Sequence, residues 1–159
     1  MDEHSHRGHG AHAHHGGSGG PLKTSAQATI HCLTGCVIGE VAGLLIGVSL
    51  GFAPWQTIVL ATLLAYGAGI TLGLLPVMRA QKISALAAFK IIWLGEVISI
   101  GVMEIVMNFV DYQMGGMTAP SIATWMFWRG IAFAIPAGFL AAWPVNYWLL
   151  KREIKAPCH

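Results

Sequence analysis

Charge is scarce in this chain: 9 Lys and Arg and 7 Asp and Glu make up 10% of its 159 residues. Soluble domains carry about 25%. With 55% hydrophobic residues and a mean hydropathy of +0.61, the composition excludes a water-soluble globule and predicts an integral membrane protein with the lipid bilayer as its partner. Cysteine is also sparse. The three thiols, Cys32, Cys36 and Cys158, do not make the disulfide framework of a small secreted domain. Cys32 and Cys36, one helical turn apart, could not bridge without distortion, since a disulfide needs Cβ atoms about 4 Å apart. Also missing are a phosphate loop, a Ser-His-Asp arrangement, a Cys-x-x-Cys redox pair and a basic nucleic-acid surface. The expectation is therefore no enzyme and no nucleic-acid partner. His31 is the one histidine in an apolar stretch, which excludes a haem held by two intramembrane histidines.

Four apolar spans remain, at 29–52, 56–78, 88–110 and 121–149. Each is long enough to cross a bilayer as a helix. The expected fold class is an all-α, polytopic membrane protein of four transmembrane helices arranged as two helical hairpins over residues 29–150. Residues 1–28, with His4, His6, His9, His12, His14 and His15, form a polar tail without the apolar core of a signal peptide. The tail is expected to be disordered, and its composition suits metal binding. Residues 151–159 form a short second tail. Eight of the nine basic residues fall on one side of these spans, Arg129 being the exception, so both termini are expected in the cytoplasm. Trp55, Trp125 and Trp128 then mark the outer interface, and Trp93, Trp143, Tyr147 and Trp148 the inner one. A faint parallel repeat accompanies this layout: Gly39-Glu40-Val41 echoes Gly95-Glu96-Val97, and Ala53-Pro54 echoes Ala119-Pro120. Chance matches in a Gly- and Ala-rich chain are the alternative.

Ionisable and thiol groups inside the spans carry the functional signal, because an unpaired charge in the bilayer costs several kcal/mol. Cys32, Cys36 and Glu40 are four apart and form a ridge along one helix face, with His31 about 100° away. Thiolate, imidazole and carboxylate are metal ligands, and thiolates favour Cu(I) and Zn(II). Small buried core cysteines are the plainer alternative. Glu96 and Glu104 share a face of the third span and, with Glu40, predict a vertical series of carboxylates. Met103, Met107, Met114 and Met117 lie toward the outer side and supply thioethers suited to Cu(I), or else act as core filler. Glu104 and Arg129 fall at similar depth and are expected to form a structural ion pair, with Asp111 as the competing partner. Gly35, Gly39, Gly43, Gly47 and Gly51 form a close-packing groove, and the small bundle is expected to use it to make a homo-oligomer.

Two resemblances follow from these residues. His31-Cys32-x3-Cys36-x2-Gly39-Glu40, Trp93-x-Gly95-Glu96 and Met103-Glu104 through Met107-Asn108-Phe109 to Asp111 resemble an uncharacterised bacterial family classed as a domain of unknown function. Its members are small four-helix membrane proteins, often with His-rich tails. This likeness implies a fold and a bacterial inner-membrane location but no established activity. The ligand placement is similar to that of the eukaryotic high-affinity copper uptake transporters: Met103-x3-Met107 near an outer helix end, a glycine-groove helix, and a terminal Cys158-His159. Those transporters have three helices and an extracellular tail, so the likeness is one of ligand placement alone.

The expected function is to bind and move a soft metal ion, with Cu(I) first and zinc or nickel as alternatives. Its path would run from the methionines past Glu104 and Glu96 to Cys32, Cys36, His31 and Glu40, and then to Cys158, His159 or a cytoplasmic metal acceptor. The alternatives are a non-transporting assembly or sensory partner, and a proton-coupled carrier or channel using Glu40, Glu96 and Glu104.

Overall fold

A computed structural model describes residues 21–152 as four helices: α1 (Pro21–Ser49), α2 (Pro54–Gln81), α3 (Ala85–Met114) and α4 (Trp125–Lys151). All four are long and apolar enough to cross a membrane, and no strand occurs among the described residues. The histidines before Pro21 and the terminal Cys158-His159 lie outside the described residues.

Each expected span corresponds to one helix, with displaced ends. α1 begins at Pro21, so residues 21–28, expected to be disordered tail, are helical instead. Proline suits the first helical turn because its missing N–H would be unpaired there in any case. Of the polar residues that follow, Ser25 and Thr29 are buried against α4. Trp143 Nε1 donates to Ser25 Oγ at 3.0 Å, and Asn146 Nδ2 donates to Thr29 Oγ1 at 2.9 Å. A hydropathy reading treats Ser25 as tail and Thr29 as the edge of the span because it cannot see that α4 supplies their partners. At the other boundary, residues 121–124 are a turn rather than the start of the fourth helix. Thr124 Oγ1 donates to the Ser121 carbonyl at 2.7 Å, and α4 starts at Trp125.

Two glycines end helices by adopting the left-handed conformation. Gly51 (φ 67°) follows α1, and the Phe52 N–H reaches back to the Gly47 carbonyl at 2.8 Å. Gly115 (φ 81°) caps α3, and the Gly116 N–H donates to the Asp111 carbonyl at 2.9 Å. These are the closing bonds of helices that stop at a left-handed residue. Gly51 thus belongs to a turn and not to the packing groove expected for it.

The remaining glycines of that groove are used within the chain. A methyl group on Gly35 would strike Gly69; on Gly39, Ala65; on Gly43, Ala61; and on Gly47, the Thr57 side chain. Every fourth residue of α1 therefore meets every fourth small residue of α2, in antiparallel order. The α1–α2 hairpin closes backbone to backbone, as small-residue membrane interfaces do. The expected homo-oligomer cannot use this face, because α2 already covers it. α1 also touches α3 and α4, and α3 touches α2 and α4, whereas α2 and α4 do not meet. α1 and α3 are consequently the central pair, with α2 and α4 flanking them.

Gly39→Ala should lower the thermal midpoint in detergent or prevent accumulation, since overpacking of this kind costs about 1–3 kcal/mol. Gly67→Ala, which meets nothing within 4 Å, should leave the midpoint unchanged or raise it. Equal melting of the two variants would contradict the packing.

Candidate functional site

The buried acidic side chains of the helices lie along α1 and α3. Glu40, Glu96, Ser99, Glu104, Asn108 and Asp111 are all buried, as are Cys32 and Cys36. α1 contributes one residue per turn from its ridge, and α3 answers in parallel register. Cys32 Sγ lies 3.6 Å from Glu96 Oε2 and 3.7 Å from Ser99 Oγ. Cys36 interacts with the Cys32 thiol one turn away. One turn further, the carboxyl groups of Glu40 and Glu104 come within hydrogen-bonding reach of each other.

That carboxyl pair is the centre of the site. Glu40 is 1% exposed and Glu104 2% exposed. Neither Glu40 oxygen and only one Glu104 oxygen receives a hydrogen bond from a donor of the protein; Asn108 Nδ2 approaches Glu104 Oε2 at 3.4 Å. Asn108 Nδ2 also donates to the Glu104 carbonyl at 2.9 Å and approaches Thr62 Oγ1 of α2 at 3.4 Å. Two carboxylates meeting away from water repel strongly. Such a pair holds one proton, or one cation, between its oxygens.

Asp111 continues the acidic line toward the α3–α4 loop. It is fully buried, and Gly116 and Gly130 press against its carboxyl group so closely that a methyl group on either would collide with it. The Met117 amide faces it without a well-aligned hydrogen bond, and both carboxyl oxygens lack partners. The sequence signal for this residue is an acid followed by paired glycines, Asp111 with Gly115-Gly116; the competing pairing of Asp111 with Arg129 does not form.

Several expected pairings do not form. Arg129 does not reach Glu104; its Nη2 donates to the Met114 carbonyl at 2.7 Å. The reason is axial distance. Glu104 lies ten residues before Met114, or about 15 Å at 1.5 Å per residue, whereas Arg129 sits in the second turn of α4 beside the end of α3. His31, off the ridge as its 100° offset implies, places Nε2 3.1 Å from the Leu72 carbonyl of α2. The methionines separate. Met103 and Met107 pack against Gly138 of α4, and Met117 packs with Leu44 and Phe127 in another core cluster. Among the described residues, no group of three or more His, Cys, Asp and Glu side chains converges as a metal site.

The sequence reading also missed a groove between α2 and α3. It has a volume of about 510 Å³ and is lined by Ile58, Thr62 and Tyr66 of α2 and by Glu104, Ile105 and Asn108 of α3, among others. The helices pack tightly near their connecting turn through Val77, Ala88 and Ile92. Farther along, small Gly101 leaves room beside Tyr66, whose hydroxyl donates to the Val97 carbonyl at 3.1 Å.

If Arg129 and Glu104 are independent, the Glu104→Gln and Arg129→Gln effects on unfolding free energy should add within about 0.5 kcal/mol. Coupling above about 1 kcal/mol in the double variant would restore the ion pair.

Comparisons with curated proteins and with solved structures return no match. A family model does match, over residues 22–155, and it takes in all four helices and the whole carboxyl seam. The chain belongs to the family described as "Domain of unknown function (DUF4396)".

Proposed function

We propose that this protein is a proton-linked membrane carrier whose central exchange site is the Glu40–Glu104 pair. The observation that carries the reading is the meeting of these two buried carboxyl groups with almost no donor around them. Intramembrane acids of this kind are costly to retain, and the pair needs a proton or cation between its oxygens to relieve their repulsion. Glu96 with Cys32 and Ser99 supplies a second polar station on one side, and Asp111 a third on the other. In this reading a proton held between Glu40 and Glu104 leaves when a cation takes its place. The positive-inside bias puts the Glu96 end toward the cytoplasm of a bacterial inner membrane, and no enzyme chemistry is invoked.

In liposomes loaded with a pH-sensitive dye, the reconstituted protein should relax an imposed pH gradient when exchangeable cation is present. Glu104→Gln and Glu40→Gln should each slow this at least tenfold, and Glu96→Gln should slow it less. Flux that survives Glu40→Gln and Glu96→Gln together would remove the carboxyl path from consideration.

A second reading, movement of soft metal with Cu(I) as substrate, draws on one observation: Cys32, Cys36, Met103 and Met107 share a single buried cluster. Zinc and nickel are its alternatives, and a cytoplasmic acceptor its implied partner. Protein lacking residues 1–20 should then retain about one copper per chain by elemental mass spectrometry and lose it in the Cys32→Ser/Cys36→Ser variant. Metal far below one equivalent in the undisturbed membrane domain would leave the proton-linked reading alone.

A further inference from the structure

The groove between α2 and α3 has an unusual combination of wall and floor. Its walls are Ile58, Ile105, Phe109, Tyr66 and Tyr112, and its inner end carries Glu104 and Asn108. Ile105 is 72% exposed and Phe109 60% exposed on the outer surface of α3, so the groove opens sideways, where lipid would lie, rather than toward either end of the bundle. At its floor the side-chain atoms without partners are all acceptors. Glu104 Oε1 and Asn108 Oδ1 lie just beneath this lining, enclosed until a side chain turns toward the groove, and receive no hydrogen bond, on residues that are 2% and 6% exposed.

A buried acceptor without a donor costs about 1–3 kcal/mol, and more when charged. A ligand that relieves it must bring N–H or O–H groups, and a carboxylate beside an amide oxygen selects a positive donor. Aromatic rings along the walls favour a cation over a neutral alcohol. A cavity of about 510 Å³ lies within the range that takes drug-sized molecules. The sideways opening selects molecules already dissolved in the bilayer.

We infer that the α2–α3 groove binds a lipophilic organic cation bearing at least one N–H, a protonated amine, which enters from the bilayer and donates to Glu104 and Asn108. This deepens the proton-linked reading, on which only its transport meaning rests, by naming the substrate class. Binding itself requires only the groove and its floor. When the ammonium group reaches Glu104, its positive charge takes the place of the proton held by the carboxyl pair: the carboxyl O–H bond breaks, its electron pair stays on the oxygen, and the proton passes to water.

The test uses the full-length protein in detergent micelles and rhodamine 6G, a lipophilic cation with N–H groups, followed by fluorescence polarisation. Saturable binding is expected at one site per chain. Dodecylamine should compete, whereas dodecanol and dodecyltrimethylammonium, which lack the charge and the N–H respectively, should compete at least tenfold less well. Glu104→Gln should weaken binding at least tenfold. Ile105→Trp, which fills the groove mouth from an exposed position and so leaves the core packing intact, should weaken it similarly, and Glu96→Gln should not. Equal binding by Glu104→Gln, or competition by dodecanol as strong as by dodecylamine, would overturn the inference. Proton flux separates the two ideas. A protein that binds the dye but does not relax a pH gradient loses the carrier reading and keeps the site; one with cation-stimulated flux that Ile105→Trp leaves untouched loses the site and keeps the carrier.

Discussion

The close approach of α1 to α2 sets the geometry of everything else. Gly35, Gly39, Gly43 and Gly47 lie flat against Gly69, Ala65, Ala61 and Thr57, which fixes the rotation of α1 about its own axis. Neighbouring residues on a helix are about 100° apart. Locking the glycine face onto α2 therefore turns the ridge at Cys32, Cys36 and Glu40 toward α3, with Cys36 still bordering Gly69 of α2. The thiols and the carboxylate are consequently held against Glu96, Ser99 and Glu104, and a one-residue rotation would put them elsewhere. In lipid there is no hydrophobic force to bring helices together, so shape complementarity of small residues has to supply this specificity.

The same ridge explains where the polar seam ends. The next residue in the series after Glu40 is Leu44, which is fully buried and clusters with Met117, Phe127 and Ile131. An apolar layer therefore succeeds the carboxyl pair on α1, while on α3 the acidic line continues to Asp111 beneath Gly116 and Gly130. At the opposite end, the bonds from Trp143 to Ser25 and from Asn146 to Thr29 tie α4 to α1. The flanking helices thus have different tasks. α4 closes one side with hydrogen bonds and with the methionine–glycine contact at Gly138, whereas α2 packs on α3 from their turn as far as Gly69 and Ile100 and beyond that leaves the groove open at the surface.

Much of this was legible from the sequence, and the division has a physical basis. Four helices follow from hydropathy alone, because the bilayer fixes both their length and their composition. The glycine groove was visible as a strict four-residue period, and the carboxylates stood out as rare charges in apolar surroundings. Their partners were not visible. Assigning the glycine face to α2 or to a second copy requires the hairpin register, which one small residue per turn on α2 encodes only weakly. The Glu104–Arg129 pairing failed because depth was judged from span boundaries that were several residues off, and a helix advances about 1.5 Å with each. Ser25, Thr29 and Asn146 were overlooked because polar residues near a span end read as solvent-facing until a partner helix is supplied.

The repeat suggested by Gly39-Glu40 and Gly95-Glu96 is instructive for the same reason. Matched by sequence, Glu40 corresponds to Glu96. In the folded chain Glu40 faces Glu104 instead, while Glu96 stands opposite Cys32. The two central helices run in parallel, so each position on α1 is paired with the α3 position at its own depth, and Glu104 is two turns beyond Glu96. A carboxyl pair well inside the bundle and a single carboxyl with a thiol nearer the basic end are chemically different stations. The pair must hold a proton or a cation to relieve its repulsion, whereas Glu96 has the Cys32 thiol within reach, and that thiol in turn lies beside the Ser99 hydroxyl. That asymmetry gives the seam a centre, and the opening between α2 and α3 leads to that centre.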